Sequence, residues 1–129
     1  MRGSSAAAVA VAVEIYFQAL HEGDVDKFDT VFHSSANLID VSDGFKRVLL
    51  SEFREKLKNC VSPASAGKLR EDELIFVDFV SKDIVVAKVR SKIDNHTSFN
   101  HLSLVRVRDR FMIVAKTGFD ERRCRRSNV

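Results

Sequence analysis

What the sequence lacks narrows the options before any motif is considered. Its two cysteines, Cys60 and Cys124, lie far apart and form no CxxC or Cys/His spacing, so they signal neither a disulfide framework nor a thiolate zinc site. Reduced thiols in a cytoplasmic protein are the expectation. The four histidines show no paired spacing, so no metal is expected, and no motif calls for a cofactor, so none is expected. No apolar run approaches the ~20 residues of a membrane span. The one proline sits in the loop SPASAG, and no linker, repeat or composition shift divides the chain. One domain over residues 1–129 follows, with a core of about 6–119.

Basic charge is also scarcer than the net +3 suggests. The closing DERRCRRSNV holds four arginines against Asp120 and Glu121, a net of +2, which leaves +1 for the rest. A nucleic-acid binder needs a basic face spread over its fold, so no nucleic-acid partner is expected, and residues 120–129 read as a solvated basic tail. The opening MRGSSAAAVAVAV has the short apolar run of a secretory signal. Glu14 ends that run, however, and the apolar face resumes at Ile15, Phe17 and Leu20, which favours a helix of the domain over secretion.

Ser4 or Ser5 can cap this helix. Val9, Val13, Phe17 and Leu20 recur at helical spacing to about His21, and Gly23 is placed to end it in the left-handed region. Asp24 caps a second helix through Phe28, Val31 and Phe32, ending before Ser34. NLIDV and FKRVL flank Ser42-Asp43-Gly44, and Asp-Gly between two apolar runs signals a hairpin. Ser51 opens a third helix with Phe53 and Leu57 on its buried side. From Arg70 onward four long strands, ELIFVDFV, IVVAKVRSKI, TSFNHLSLVRV and FMIVAKTGF, are separated by the short polar turns SKD, DNH and RDR. Short turns between adjacent strands predict an antiparallel meander, and the three helices are its only available cover, which makes the fold α+β. In the first strand Ile75, Val77 and Phe79 alternate with Leu74, Phe76 and Val80, so both faces are apolar.

The order helix, helix, hairpin, helix, meander resembles the nuclear transport factor 2-like superfamily, a cystatin-like cone shared by ketosteroid isomerases, dehydratases and SnoaL-like polyketide cyclases. Tyr16 through Gly23-Asp24, Phe32-His33, Ala36, the Asp-Gly hairpin and the closing RFMIVAKTGF look most like the Putative lumazine-binding group within it. The resemblance implies three N-terminal helices packed on a curved mixed or antiparallel sheet. It also implies an apolar pocket at the cone's open end and a homodimer through the sheet's outer face.

Tyr16 lies seven residues before Gly23 and Asp40 seventeen after it. Ketosteroid isomerases place an oxyanion-binding tyrosine and a carboxylate base at these offsets. By that resemblance Asp40 points into the cone, where an apolar wall raises its pKa and lets it take a proton beside a carbonyl, while Tyr16 donates to the enolate. The isomerases' protonated aspartate is matched here by Ser103, a weaker donor. His33 is a third catalytic candidate; the alternative is a histidine closing the second helix on a backbone carbonyl. The expected ligand-contacting residues are Phe17, Leu20, Phe53, His101, Ser103, Lys116 and Phe119. Asn100 and His101 are adjacent in a strand, so one alone faces the cone, and Ser103 goes with His101. Structural readings stand beside these: Tyr16 as core, and Lys88 or Lys116 pairing with Asp78 or Asp40 as a buried ion pair.

Three functions remain open on this scaffold. The first is a pocket protein for a small apolar or carbonyl-containing ligand. The second is a cofactor-free isomerase, dehydratase or aldolase-type enzyme using Asp40 as base. The third is a dimerisation module.

Overall fold

Ser4 starts the first helix because its hydroxyl oxygen accepts the Ala7 amide at 3.1 Å. Helix α1 runs Ser5–Glu22 and stops at Gly23, whose φ of 66° is left-handed. The structure, a computed structural model, describes residues 4–93 and 96–122. Asp24 Oδ1 accepts the amides of Asp26 and Lys27 at 2.9 and 3.1 Å and opens α2, Val25–Val31. Phe32, expected inside this helix, instead begins strand β1, Phe32–Asp40, pairing in parallel with Ile113. Non-local pairing outweighs the local helical pattern there.

Strand β2, Lys46–Val48, folds back antiparallel on β1 with Asp40 opposite Lys46, so the expected hairpin forms and residues 41–45, around Ser42-Asp43-Gly44, make its connection. Helix α3, Leu50–Asn59, begins one residue earlier than expected, where Glu52 Oε1 accepts the Leu49 amide at 3.1 Å. Arg54 grips Asp29 of α2 with two bonds of 2.8 Å and docks α3 on its neighbour.

The four long strands are β3 (Asp72–Ser81), β4 (Ile84–Ile93), β5 (His96–Val107) and β6 (Arg110–Arg122). The sheet order is β2-β1-β6-β5-β4-β3. The meander is antiparallel as expected, but β1 joins β6 in parallel and makes the sheet mixed. Among the described residues, three helices on a six-stranded mixed sheet constitute the expected α+β, cystatin-like architecture. The core lies between them. Val9, Val13, Tyr16 and Phe28 from the helices meet Leu38, Val85, Val89, Leu102 and Ile113 from the sheet. Apolar area on this scale is the dominant favourable contribution to folding.

Two sequence expectations need correction here. A register shift between Leu74 and Phe76 places Leu74 and Val77 on the same, core-packed face of β3, so the simple alternation through Ile75 fails. And β6 does not end at Phe119: Asp120 and Glu121 pair with Ser98 and Thr97, so the boundary drawn for a tail at residue 120 cuts through a strand. The rest of the expected tail, residues 123–129, which its charge and the end of the apolar pattern mark as dispensable for folding, lies outside the described residues. Cys60 is free and exposed. Among the described residues no helix is long and apolar enough to cross a membrane.

Candidate functional site

Strand β6 has a two-residue side-chain period, so Lys116, Gly118 and Asp120 share one face. Their β5 partners are Leu102, Asn100 and Ser98, and their β1 partners include Leu38 opposite Lys116 and Asp40 opposite Gly118. Leu38 and Leu102 are buried in the core, which identifies this as the inner, helix-covered face. Asp40, Ser98, Asn100, Lys116 and Asp120 thus form one polar group at the end of an apolar interior. Helix α1 adds Tyr16 and α3 adds Phe53.

Gly118 is what lets Asn100 lie flat across the sheet. A Cβ at position 118 would overlap the Asn100 side-chain oxygen and the Phe99 carbonyl oxygen. Asn100 is buried, whereas its neighbour His101 is exposed. The choice between the two is therefore decided for Asn100.

Asp40 is held by a short turn. Its Oδ1 accepts the Ser42 amide at 2.8 Å and the Ser42 hydroxyl at 2.6 Å. The same Ser42 oxygen accepts the Asp120 amide at 2.9 Å, and the Val41 amide donates to the Gly118 carbonyl at 2.9 Å. Asp40 thereby ties the β1–β2 connection to β6. Burial pushes its pKa up, but the two Ser42 hydrogen bonds together with the charges of Lys116 and Lys46 outweigh it, and the carboxyl lies below the ordinary carboxylate value. The raised pKa expected of a general base is the reverse of what this site produces.

Tyr16 is 0% exposed, its ring packed 5.7 Å from that of Phe17 and 6.0 Å from that of Phe32. Its hydroxyl has no hydrogen-bond partner among the described residues. Burial first, and the negative charge of Asp120 second, push the phenol pKa well up, so it stays protonated and available as a donor. Asp120 itself accepts the Ser98 hydroxyl. The Lys116 ammonium sits 4.7 Å from the centre of the Phe53 ring. Burial lowers its pKa against the opposing pull of Asp120 and Asp40, with Lys56 of α3 adding to the lowering. No buried contact ion pair with Lys88 and Asp78 forms, since both lie exposed on the outer face.

The other expected site residues divide cleanly. Phe17 and Leu20 are buried in the core on α1, and Phe53 is partly buried between Phe28, Phe32 and Lys116. His101 and Ser103 face the other side of the sheet, and Phe119 stacks on Phe99 there at 5.8 Å, so these three do not join the inner group. His33 lies in β1 rather than at a helix end. Its Nδ1 accepts the Ser35 amide at 3.0 Å, and it borders an open flank groove with Arg47, Ser51 and Met112, apart from Asp40 and Tyr16. Sequence reasoning missed Ser42, Ser98 and Asp120. The two-residue period through Lys116 and Gly118 pointed to Asp120, but its charge and the arginines after it resembled a tail. Among the described residues no group of three or more His, Cys, Asp or Glu side chains is arranged to hold a metal.

The family model described as Putative lumazine-binding matches residues 4–118. Solved structures with similar folds include an NTF2-like protein of unknown function from Silicibacter pomeroyi, 19% identical, covering 89% of this chain and 94% of that one at a TM-score of 0.79. A second NTF2-like protein of unknown function, from Shewanella baltica, is 14% identical with coverage of 90% and 93% and a TM-score of 0.79. A cystatin-like fold protein from Burkholderia xenovorans is 16% identical, with coverage of 92% and 93% and a TM-score of 0.68. At these identities the shared property is the fold. No curated protein matches the sequence.

Proposed function

The chain belongs to the Putative lumazine-binding family of the nuclear transport factor 2-like superfamily, and from that premise we propose that it binds a small, largely apolar molecule carrying a carbonyl oxygen, against the inner face of the sheet. The observation that carries this reading is the Tyr16 hydroxyl, fully buried and unpartnered among the described residues. An unmatched buried donor costs about 1–3 kcal/mol. A ligand acceptor next to Asn100, Lys116 and the Phe53 ring would satisfy it while the aromatic walls take up apolar surface. The family's label supports a small-molecule ligand and does not single one out.

Catalysis through Asp40 is less well supported than binding, because its lowered pKa and two Ser42 hydrogen bonds suit an anchor better than a base. The test is a ligand-observed NMR screen of aromatic ketones, lactams and their deoxygenated analogues against wild type and Tyr16→Phe. Ketones and lactams should bind wild type better than their analogues, and Tyr16→Phe should erase the difference. Equal binding of both sets by both proteins would refute the reading.

Assembly is a second reading with its own observation. Phe76 and Val80 on the edge strand β3 are 53% and 66% exposed, and Ile75, Phe79 and Ile84 are exposed beside them. Exposed apolar side chains of this kind, interrupted by Asp78 and Lys88, suit a homodimer interface.

A further inference from the structure

We propose that Lys116 is a carbonyl-reactive amine, and that the ligands of the inner site are aldehydes or ketones held as a reversible imine on its Nζ. The proposal rests on the small-molecule reading above and adds to it a covalent attachment point. Three placements carry it. Lys116 occupies the central strand on the inner face, between Leu38 and Leu102. Its ammonium lies 4.7 Å from the centre of the Phe53 ring, on a half-buried side chain. Asp120 lies four residues along the same inner face of β6, and its charge acts on both Lys116 and the buried, unpartnered Tyr16 hydroxyl.

These are the parts imine chemistry needs. The uncharged amine attacks the carbonyl carbon, an N–C bond forms, and the carbonyl π pair moves to oxygen, toward which a hydroxyl such as that of Tyr16 can donate. One proton passes from nitrogen to oxygen to give the carbinolamine. The proton that the Lys116 ammonium gave up to solvent before the attack is then taken back at the carbinolamine hydroxyl, the C–O bond breaks, water leaves, and a protonated imine remains; nothing is oxidised or reduced. Its positive charge replaces that of the ammonium before the same groups, with Asp120 and Asp40 favouring it and Lys56 opposing it. Burial favours the uncharged amine that starts the sequence.

The test treats the full chain near neutral pH with benzaldehyde and sodium cyanoborohydride, which turns an imine into a stable benzylamine, and maps the modified lysines by mass spectrometry. Lys116 should be benzylated several-fold faster than Lys82 or Lys88, and benzyl alcohol, which has no carbonyl, should slow Lys116 alone by competition. Labelling of Lys116 no faster than of the exposed lysines overturns the proposal. The parallel readout is NMR of the Phe53 and Leu57 side chains during benzyl alcohol titration. If they shift while Lys116 gains no rate advantage, the pocket stands and the reactive lysine falls. If neither the shifts nor the rate advantage appear, both fall. Wild type alone decides the outcome, and Lys116→Arg, which keeps the charge, should lose the fast site.

Discussion

Asp40 breaks an apolar strand because the next two residues turn, and its carboxylate receives both hydrogen bonds from Ser42. That role has a definite pH signature. The folded carboxyl lies below the ordinary 3.8, so the stability it contributes is fully present above that value and is lost as pH falls through the folded pKa. Asp40→Asn should therefore cost about 1 kcal/mol at neutral pH, and the gap to wild type should close in denaturation curves recorded below pH 3.8. A loss of about 3–5 kcal/mol would instead mark a buried ion pair broken on one side. Gly118 offers a separate test, since any Cβ there meets the Asn100 side chain and the Phe99 backbone. Gly118→Ala should lower stability by about 1–3 kcal/mol in urea denaturation, the usual range for overpacking a tight site. Neither partner was legible beforehand: Ser42 looked like part of a hairpin turn, and Asn100 competed with His101 until the burial of Leu102 and Leu104 set the phase of the strand.

At the scale of elements, the helices were legible because their signals are local. Ser4, Asp24 and Gly23 act where their chemistry predicts, within a few residues of the atoms they satisfy. Asp24→Ala should cost about 1 kcal/mol, read as a lower melting temperature, because two amides of the seven-residue α2 lose their acceptor. The sheet was harder. Its antiparallel meander follows from short turns, but the parallel β1–β6 pair joins segments far apart in the chain, and no local pattern encodes that contact. Register shifts in β3 and between Ser103 and Leu104 change which residues share a face, so a two-residue period read without them misplaces side chains. The extension of β6 past Phe119 was hidden by charge, since Asp120 is stabilised by Ser98 and Ser42 rather than by apolar packing.

For the whole molecule, the outer face and the interior make different demands. The exposed apolar side chains on β3 predict a dimer by sedimentation velocity at micromolar concentration, and Phe76→Glu should shift it to monomer without lowering helix content. A monomeric wild type would remove the assembly reading while leaving the inner site untouched. Inside, a polar group gathered by three strands meets a tyrosine of α1 whose hydroxyl is buried without a partner among the described residues. The most direct test of that central claim is the equilibrium stability of ligand-free Tyr16→Phe against wild type. Removing an unsatisfied buried donor while keeping the ring should leave stability unchanged or raise it by about 1 kcal/mol. A loss of that size would show that the hydroxyl already has a partner within the protein, and would contradict the account of Tyr16 as a donor held for a ligand.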